Sequence, residues 1–120
     1  TDGRMQVFGG VMGYESYAEG AVGWAAVPAN GAPGEFARMY ELVQAGNYTA
    51  ARDIAFRHTP LIRFVAGQAY VTGTKALLTA MGLPVGDPRP PRLPLNEAGQ
   101  TRARQIAEQL NLRVPLTSDA

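Results

Sequence analysis

Two short apolar runs near the N-terminus, separated by a segment of helix length, constrain the fold more than any other feature. Residues 5–8 (MQVF) end at Gly9 and Gly10, and residues 22–27 (VGWAAV) are apolar at nearly every position. Runs of this kind are typical of strands that are covered on both faces. The intervening residues 11–19 suit a short helix. The pattern therefore predicts a β-α-β unit with two parallel, buried strands and a right-handed connection.

The spacing of apolar residues becomes helical at Pro33, which suits the first turn of a helix. Gly46 is predicted to end this helix and Asn47 to cap the next. Pro60 predicts a break, because proline lacks an N–H group and disfavours helical backbone in the residue before it. A helical continuation over residues 61–65 is expected. One apolar stripe is predicted on each of the first two helices, and the stripe of the first is expected to be core or subunit contact rather than a cofactor site. The side chains of the two stripes are Phe36, Met39, Tyr40, Val43, Ala51, Ile54, Ala55 and Phe56.

The C-terminal half combines two helices with a proline-rich segment. Residues 70–81 predict a helix that is closed by glycine and proline. Five of the nine prolines fall within residues 84–95, so this segment is predicted to be an extended strap laid over a surface rather than folded on itself. Asn96 is the predicted N-cap of a last helix, before a polar tail at residues 117–120. The side chains predicted to face inward from this last helix are Ala103, Ile106, Ala107 and Leu110.

The amino-acid composition argues against several classes of function. A length of 120 residues suits one domain with one modest core. The formal charge of +1 and the scattered arginines provide no basic stripe, which argues against a nucleic-acid partner. Cysteine is absent, which excludes a thiol nucleophile and a thiolate metal site and fits a cytoplasmic protein. No apolar run reaches the roughly 18 residues of a membrane helix, so no membrane partner is expected.

Three features have both a chemical and a structural interpretation. Gly10-x-x-Gly13 opens the first helix and could bind an anion on free N–H groups, or it could serve the turn alone. His58 has no second histidine with which to hold a metal, and contact with carbonyl groups near Pro60 is the expected role. Trp24 is expected to pack in the core, although it could also line a pocket.

The order of these elements resembles the C-terminal third of the dihydrodipicolinate synthase and N-acetylneuraminate lyase family. The matching motifs cover about residues 5–112 and are the strand ending in Gly9-Gly10, GAVGWAAVPAN, ELVQAGNYTAARDI, TKALLTAMGLPVG and PRLPLNEAGQTRARQIAEQLNL. The resemblance implies an α/β fold, namely the last two parallel strands of a (β/α)8 TIM barrel with a helical appendage. Residues 1–46 would be the last barrel segment and residues 47–120 the helical region with its strap.

The family resemblance also implies a function. Members form a Schiff base between a barrel lysine and pyruvate or another 2-keto acid, require no further cofactor or metal, and are usually homotetramers. The chain is thus expected to be part of a class I lyase, an aldolase or dehydratase, acting on pyruvate or a 2-keto-3-deoxy sugar acid. Its expected partners are that substrate and either the remainder of the barrel or copies of itself. The alternative is a non-catalytic helical module for interaction or oligomerisation.

Four residues match positions of the substrate site in this family. Gly10 matches the glycine after the seventh barrel strand, and Gly9 precedes it. Ala25 matches the eighth-strand position whose backbone carbonyl lies near the Schiff-base lysine, and Val27 lies farther along the same strand. These four are the predicted substrate-binding residues.

Two segments depart from the family pattern. Val11 and Met12 stand where many members have two acidic residues. The segment GQAYVTGT, residues 67–74, replaces an asparagine-containing proline segment. Both departures argue against the diaminopimelate pathway and favour a sugar-acid substrate.

No catalytic residue is predicted within the chain. Lys75 is its single lysine, but the surrounding TGTKALL matches the C-terminal helical region of the family. The resemblance places the Schiff-base lysine on the sixth strand, which would precede Thr1, so Lys75 is expected to be solvated or paired with another helix. The family's catalytic tyrosine also belongs to an earlier strand. The tyrosines that accordingly inherit no catalytic role are Tyr14, Tyr17, Tyr40, Tyr48 and Tyr70.

Overall fold

The computed structural model describes residues 2–114, and the predicted polar tail lies outside this range. It begins with a β-α-β unit formed by strand β1 (Phe8–Gly9), helix α1 (Gly13–Ala18) and strand β2 (Gly23–Trp24). The strands are parallel, with Phe8 opposite Gly23 and Gly9 opposite Trp24. The predicted unit and strand direction are therefore confirmed.

The two strands are shorter than the sequence predicts. Within residues 2–114 each strand has one paired neighbour, so ladder hydrogen bonding is limited to a few residues. Val7 and Phe8 are 51% and 62% exposed, and Val22 is 43% exposed, because burial on both faces requires the further elements of a larger sheet or barrel. Val27 is not in the predicted strand either, because it begins a 3-10 turn, Val27–Asn30, whose second residue is a proline.

Five further helices follow the 3-10 turn. They are α2 (Pro33–Gln44), α3 (Tyr48–Arg57), α4 (Thr59–Phe64), α5 (Tyr70–Ala80) and α6 (Glu97–Gln109), and a second 3-10 turn (Gly67–Ala69) precedes α5. Both asparagine caps are confirmed, since the side-chain oxygen of Asn47 accepts from the Ala50 N–H and that of Asn96 from the Gly99 N–H. None of the helices within the described residues is long and apolar enough to cross a membrane.

The predicted break near Pro60 separates α3 from α4, and His58 lies at the junction. His58 is 3% exposed. Its Nδ1 lies 2.9 Å from the carbonyl oxygen of Ile54, and its ring meets the ring of Phe36 edge-on at 5.3 Å. His58 therefore contacts a carbonyl group beside the break, as the sequence predicts. Its ring also packs against Phe36, which connects the junction of α3 and α4 to α2.

The core lies among the inner faces of α2 to α6, and two residues of the predicted apolar stripes lie outside it. Tyr40 and Phe56 are 41% and 63% exposed, whereas Leu42 is buried in place of Tyr40. The direction of each helix relative to its neighbours decides which residues at the border of an apolar stripe become buried. Phe56 packs instead beneath the guanidinium group of Arg52, 5.8 Å from the ring centre. The residues that are fully inaccessible are Ala51, Leu61, Ala103 and Ile106.

Lys75, on α5, forms hydrogen bonds to the proline-rich strap. Its Nζ donates to the carbonyl oxygen of Val85 at 3.0 Å and to that of Gly86 at 3.4 Å. Both hydrogen bonds are exposed to solvent, and the partner of Lys75 is the strap rather than another helix. The strap has no helix or strand, as predicted, but a turn in which the Arg92 N–H donates to the Arg89 carbonyl bends it back.

Candidate functional site

The carboxyl ends of the two strands bring distant residues together. Gly10 immediately follows β1 and Ala25 immediately follows β2, and because the strands are parallel these residues lie at the same edge of the sheet. The Ala25 N–H donates to the carbonyl oxygen of Gly9 at 3.0 Å, which continues the ladder past the ends of the strands. In a barrel of alternating strands and helices, this is the edge at which active sites are built.

A cavity of about 260 Å³ opens at this edge. One wall comes from the residues that follow β1 and β2, and the other comes from α4 and from the connection between α4 and α5. The lining side chains that the structure describes carry no charge. These residues are Gly10, Val11, Ala25, Val27, Pro28, Ile62, Val65, Ala66, Gly67 and Tyr70.

Three of the four predicted substrate-binding residues lie together in this cavity. Gly10, Ala25 and Val27 line it. Gly9 does not, because it is buried against α1, where an added Cβ would meet the side chain of Ser16. The second wall, formed mainly by Ile62 and Val65, was not predicted as part of a site. The sequence feature that comes closest to indicating this wall is segment 67–74, which departs from the family pattern and contributes Gly67 and Tyr70 to the lining.

Trp24 does not line the cavity but holds the backbone of Gly10 at its edge. The indole Nε1 donates to the carbonyl oxygen of Gly10 at 2.6 Å, and the ring meets Phe36 edge-on at 5.2 Å. A side chain at Gly13 would overlap the indole ring, so the absence of a Cβ there makes room for it. Trp24 is thus a packing residue that also sets the position of Gly10.

The local geometry favours the turn interpretation of Gly10-x-x-Gly13 over an anion site. Helix α1 has six residues and its N-cap, Met12, makes no side-chain cap. The space above Gly13 is filled by the indole of Trp24. Gly13 is therefore explained by the packing of one aromatic ring, whereas a Cβ at Gly10 would meet no neighbour.

The polar groups of the described residues provide little acid-base chemistry at the cavity. Lys75 lies on another face, with its Nζ on the strap carbonyls. Burial, together with the neighbouring Tyr40, raises the pKa of Tyr17 above its ordinary value, so this phenol stays protonated at neutral pH. Within residues 2–114 there is no cluster of three histidine or carboxylate side chains that could hold a metal ion.

Replacing Trp24 with phenylalanine tests whether the indole N–H positions Gly10. The ring contact with Phe36 is largely kept, but the bond to the Gly10 carbonyl is lost, and we expect about 1 kcal/mol of destabilisation. The backbone amide resonances of Gly10 and Val11 should shift and broaden in 15N NMR spectra. Tyr14→Phe, which removes a polar group from an aromatic residue lining the same small cavity as Trp24, is the control and should leave both resonances in place. Unchanged Gly10 and Val11 signals in the Trp24 variant would show that the indole N–H does not hold this loop.

Comparison with known proteins identifies the family. The sequence profile of the dihydrodipicolinate synthetase family matches residues 4–110. The chain belongs to this family. The 4-hydroxy-tetrahydrodipicolinate synthase of Methanospirillum hungatei is 34% identical over 92 residues, which cover 77% of this chain and 31% of that protein. The corresponding enzyme of Parabacteroides distasonis is 33% identical over 94 residues, which cover 78% of this chain and 32% of that protein.

The fold agrees with the family assignment. The crystal structure of dihydrodipicolinate synthase from Aquifex aeolicus superimposes with a TM-score of 0.85 at 19% identity, covering 94% of this chain and 39% of that one. The structural relatives are TIM barrels, which confirms the predicted fold class. The chain spans about a third of the length of the curated relatives it matches. Its two strands and its helical region thus correspond to part of such a dihydrodipicolinate synthetase barrel.

Proposed function

We propose that this chain forms one wall of the active site of a class I Schiff-base lyase, an aldolase or dehydratase, acting on pyruvate or a longer 2-keto acid. The observation that carries the proposal is the cavity at the carboxyl ends of β1 and β2, in a chain of the dihydrodipicolinate synthetase family. Active sites of (β/α)8 barrels are built at this end of the strands.

The proposed roles follow from the chemistry of the wall. Gly10 has open space where a Cβ would stand, so a substrate can approach its backbone closely. The Ala25 carbonyl would face the Schiff-base lysine, and Val27 would contact the substrate's carbon chain. The lysine and the proton-transferring tyrosine would come from other strands of a complete barrel. We propose that the complete protein is a cytoplasmic homo-oligomer that needs no cofactor or metal.

A chimera tests this function directly. The first two thirds of the Methanospirillum hungatei relative can be joined to this chain in place of that protein's matching segment. With pyruvate and borohydride, we expect one stoichiometric adduct on the chimera, located by peptide mapping in the donor part, and none on the isolated 120-residue chain. The adduct should persist in a Lys75→Arg chimera. A stoichiometric adduct on Lys75, or no adduct on a folded chimera, would contradict the proposal.

A second candidate is a helical module for interaction or oligomerisation that lacks catalysis. The observation in its favour is that α2 to α6 supply nearly all of the buried core, while the two strands contribute little to it. This candidate predicts a natural product with an intact mass near 12.8 kDa that forms a stable oligomer in sedimentation experiments. A natural product of barrel length would exclude it.

A further inference from the structure

We infer that the cavity behind Gly10 and Ala25 selects a 2-keto acid whose carbon chain is apolar, alkyl or aryl, over one whose chain is hydroxylated. This inference rests on the proposed function and names the substrate class of that site. It differs from the sugar acid suggested by the sequence. The reason lies in the wall contributed by α4 and the connection that follows it.

The side chains of the cavity form an apolar floor and an accessible rim. Ile62 and Val65 form the floor and are 5% and 2% exposed. Val11 and Tyr70 form the rim and are 58% and 53% exposed, so a ligand can reach them. Among the lining side chains that the structure describes, the Tyr70 hydroxyl is the one polar group.

Both segments that depart from the family's sequence pattern meet at this cavity. Val11 belongs to the pair that stands in place of two acidic residues, and Gly67 and Tyr70 belong to the segment 67–74. The two segments are far apart in sequence, and the fold brings them to opposite sides of the same space. Val11 places an apolar side chain where many members have a carboxylate, and Tyr70 adds an aromatic ring on the opposite side, which suits an apolar substituent.

The size of the cavity suits such a group. An apolar cavity of about 150 Å³ in another protein holds benzene, and the cavity here measures about 260 Å³. Each methylene that leaves water for such a site strengthens binding about fourfold. A hydroxyl group that enters it loses hydrogen bonds to water, and apolar pockets discriminate against an added hydroxyl by about 100-fold.

A matched pair of ligands tests the inference on the full 120-residue chain. 2-Ketopentanoate and 4,5-dihydroxy-2-ketopentanoate have the same carbon skeleton and charge and differ in two hydroxyl groups. Titration of chain labelled with 13C in its methyl groups should show 2-ketopentanoate binding about 10-fold to 100-fold more tightly. The methyl signals of Val11, Ile62 and Val65 should move. This measurement needs no Schiff-base lysine.

Isosteric substitutions locate the preference. Val65→Thr adds a hydroxyl to the floor and should reduce the affinity ratio about tenfold, whereas Val43→Thr, at a buried position outside the cavity, should leave it unchanged. Val11→Thr, on the exposed rim, should reduce the affinity ratio about threefold. Because Val11 is exposed, this substitution does not disturb the packing of the core. Val7→Thr, another exposed position outside the cavity, is its control.

The same ligand comparison in the chimera separates the two proposals. There, 2-ketopentanoate should compete with pyruvate trapping at a lower concentration than its dihydroxy analogue. If pyruvate is trapped but the two ligands compete equally, the apolar preference is wrong and the lyase function stands. If no pyruvate is trapped but the methyl titration shows the preference, the lyase function fails and the inference about the cavity stands. Equal binding of the two ligands to the isolated chain overturns the inference.

Discussion

Replacing Gly13 with alanine is expected to lower the free energy of unfolding by about 3 kcal/mol, because an added methyl group would overlap the indole ring of Trp24. The indole cannot move without losing its edge-on contact with Phe36 and its bond to the Gly10 carbonyl. One methyl group therefore disturbs the helix α1, the strand β2 and the edge of the cavity together. Urea unfolding followed by Trp24 fluorescence measures the change.

Gly34→Ala is the matched control for this substitution. Gly34 lies in the first turn of α2, and a Cβ there would meet no neighbour within 4 Å. Alanine is also the better helix former, so we expect this variant to be unchanged or slightly more stable. A Gly13→Ala protein as stable as the Gly34→Ala protein would show that the indole can shift freely and that it does not set the position of the loop.

Replacing Leu61 with alanine is expected to cost about 3 kcal/mol, since Leu61 is 0% exposed and its removal leaves a cavity in the core. A side chain at Gly31 would meet both Leu61 and Leu77, so these three residues join the end of the first 3-10 turn to α4 and α5. Loss of Leu61 should therefore loosen one wall of the candidate site against the other.

Leu93→Ala provides the control with the same chemistry. Leu93 is 80% exposed on the strap, and its truncation should change the unfolding free energy by less than about 0.5 kcal/mol. Denaturant midpoints of the two variants give the comparison. If Leu61→Ala and Leu93→Ala unfold at the same denaturant concentration, Leu61 is not part of a close-packed contact between the first 3-10 turn, α4 and α5.

The residue types at helix ends predicted the bounds of several helices. Pro33 begins α2, Asn47 and Asn96 cap their helices, and the interruption before Pro60 separates α3 from α4. Each of these features depends on the chemistry of one or two residues within a single turn. Core membership was less predictable at the borders of apolar stripes. Tyr40 is exposed while Leu42 is buried, because the neighbouring helices determine which side of α2 is covered.

The candidate site was predictable in part. The resemblance of the sequence to the family assigned Gly10, Ala25 and Val27 to one site, and the parallel strands place all three at the same edge of the sheet. It did not indicate that Ile62 and Val65 form the opposite wall, because that contact joins segments far apart in the chain. It also assigned Gly9 to the site, whereas the packing of α1 buries Gly9 on the other side.

The amino-acid sequence by itself determined the order of elements, the helix ends and the membership in the dihydrodipicolinate synthetase family. These depend on residue chemistry and spacing over short distances, which any segment carries wherever it packs. The tertiary structure alone decided that Trp24 holds the Gly10 carbonyl, that Lys75 fastens the strap, and which side chains enclose the apolar cavity. Such contacts arise when separate elements exclude water from a shared surface, and their geometry follows from how the elements pack together.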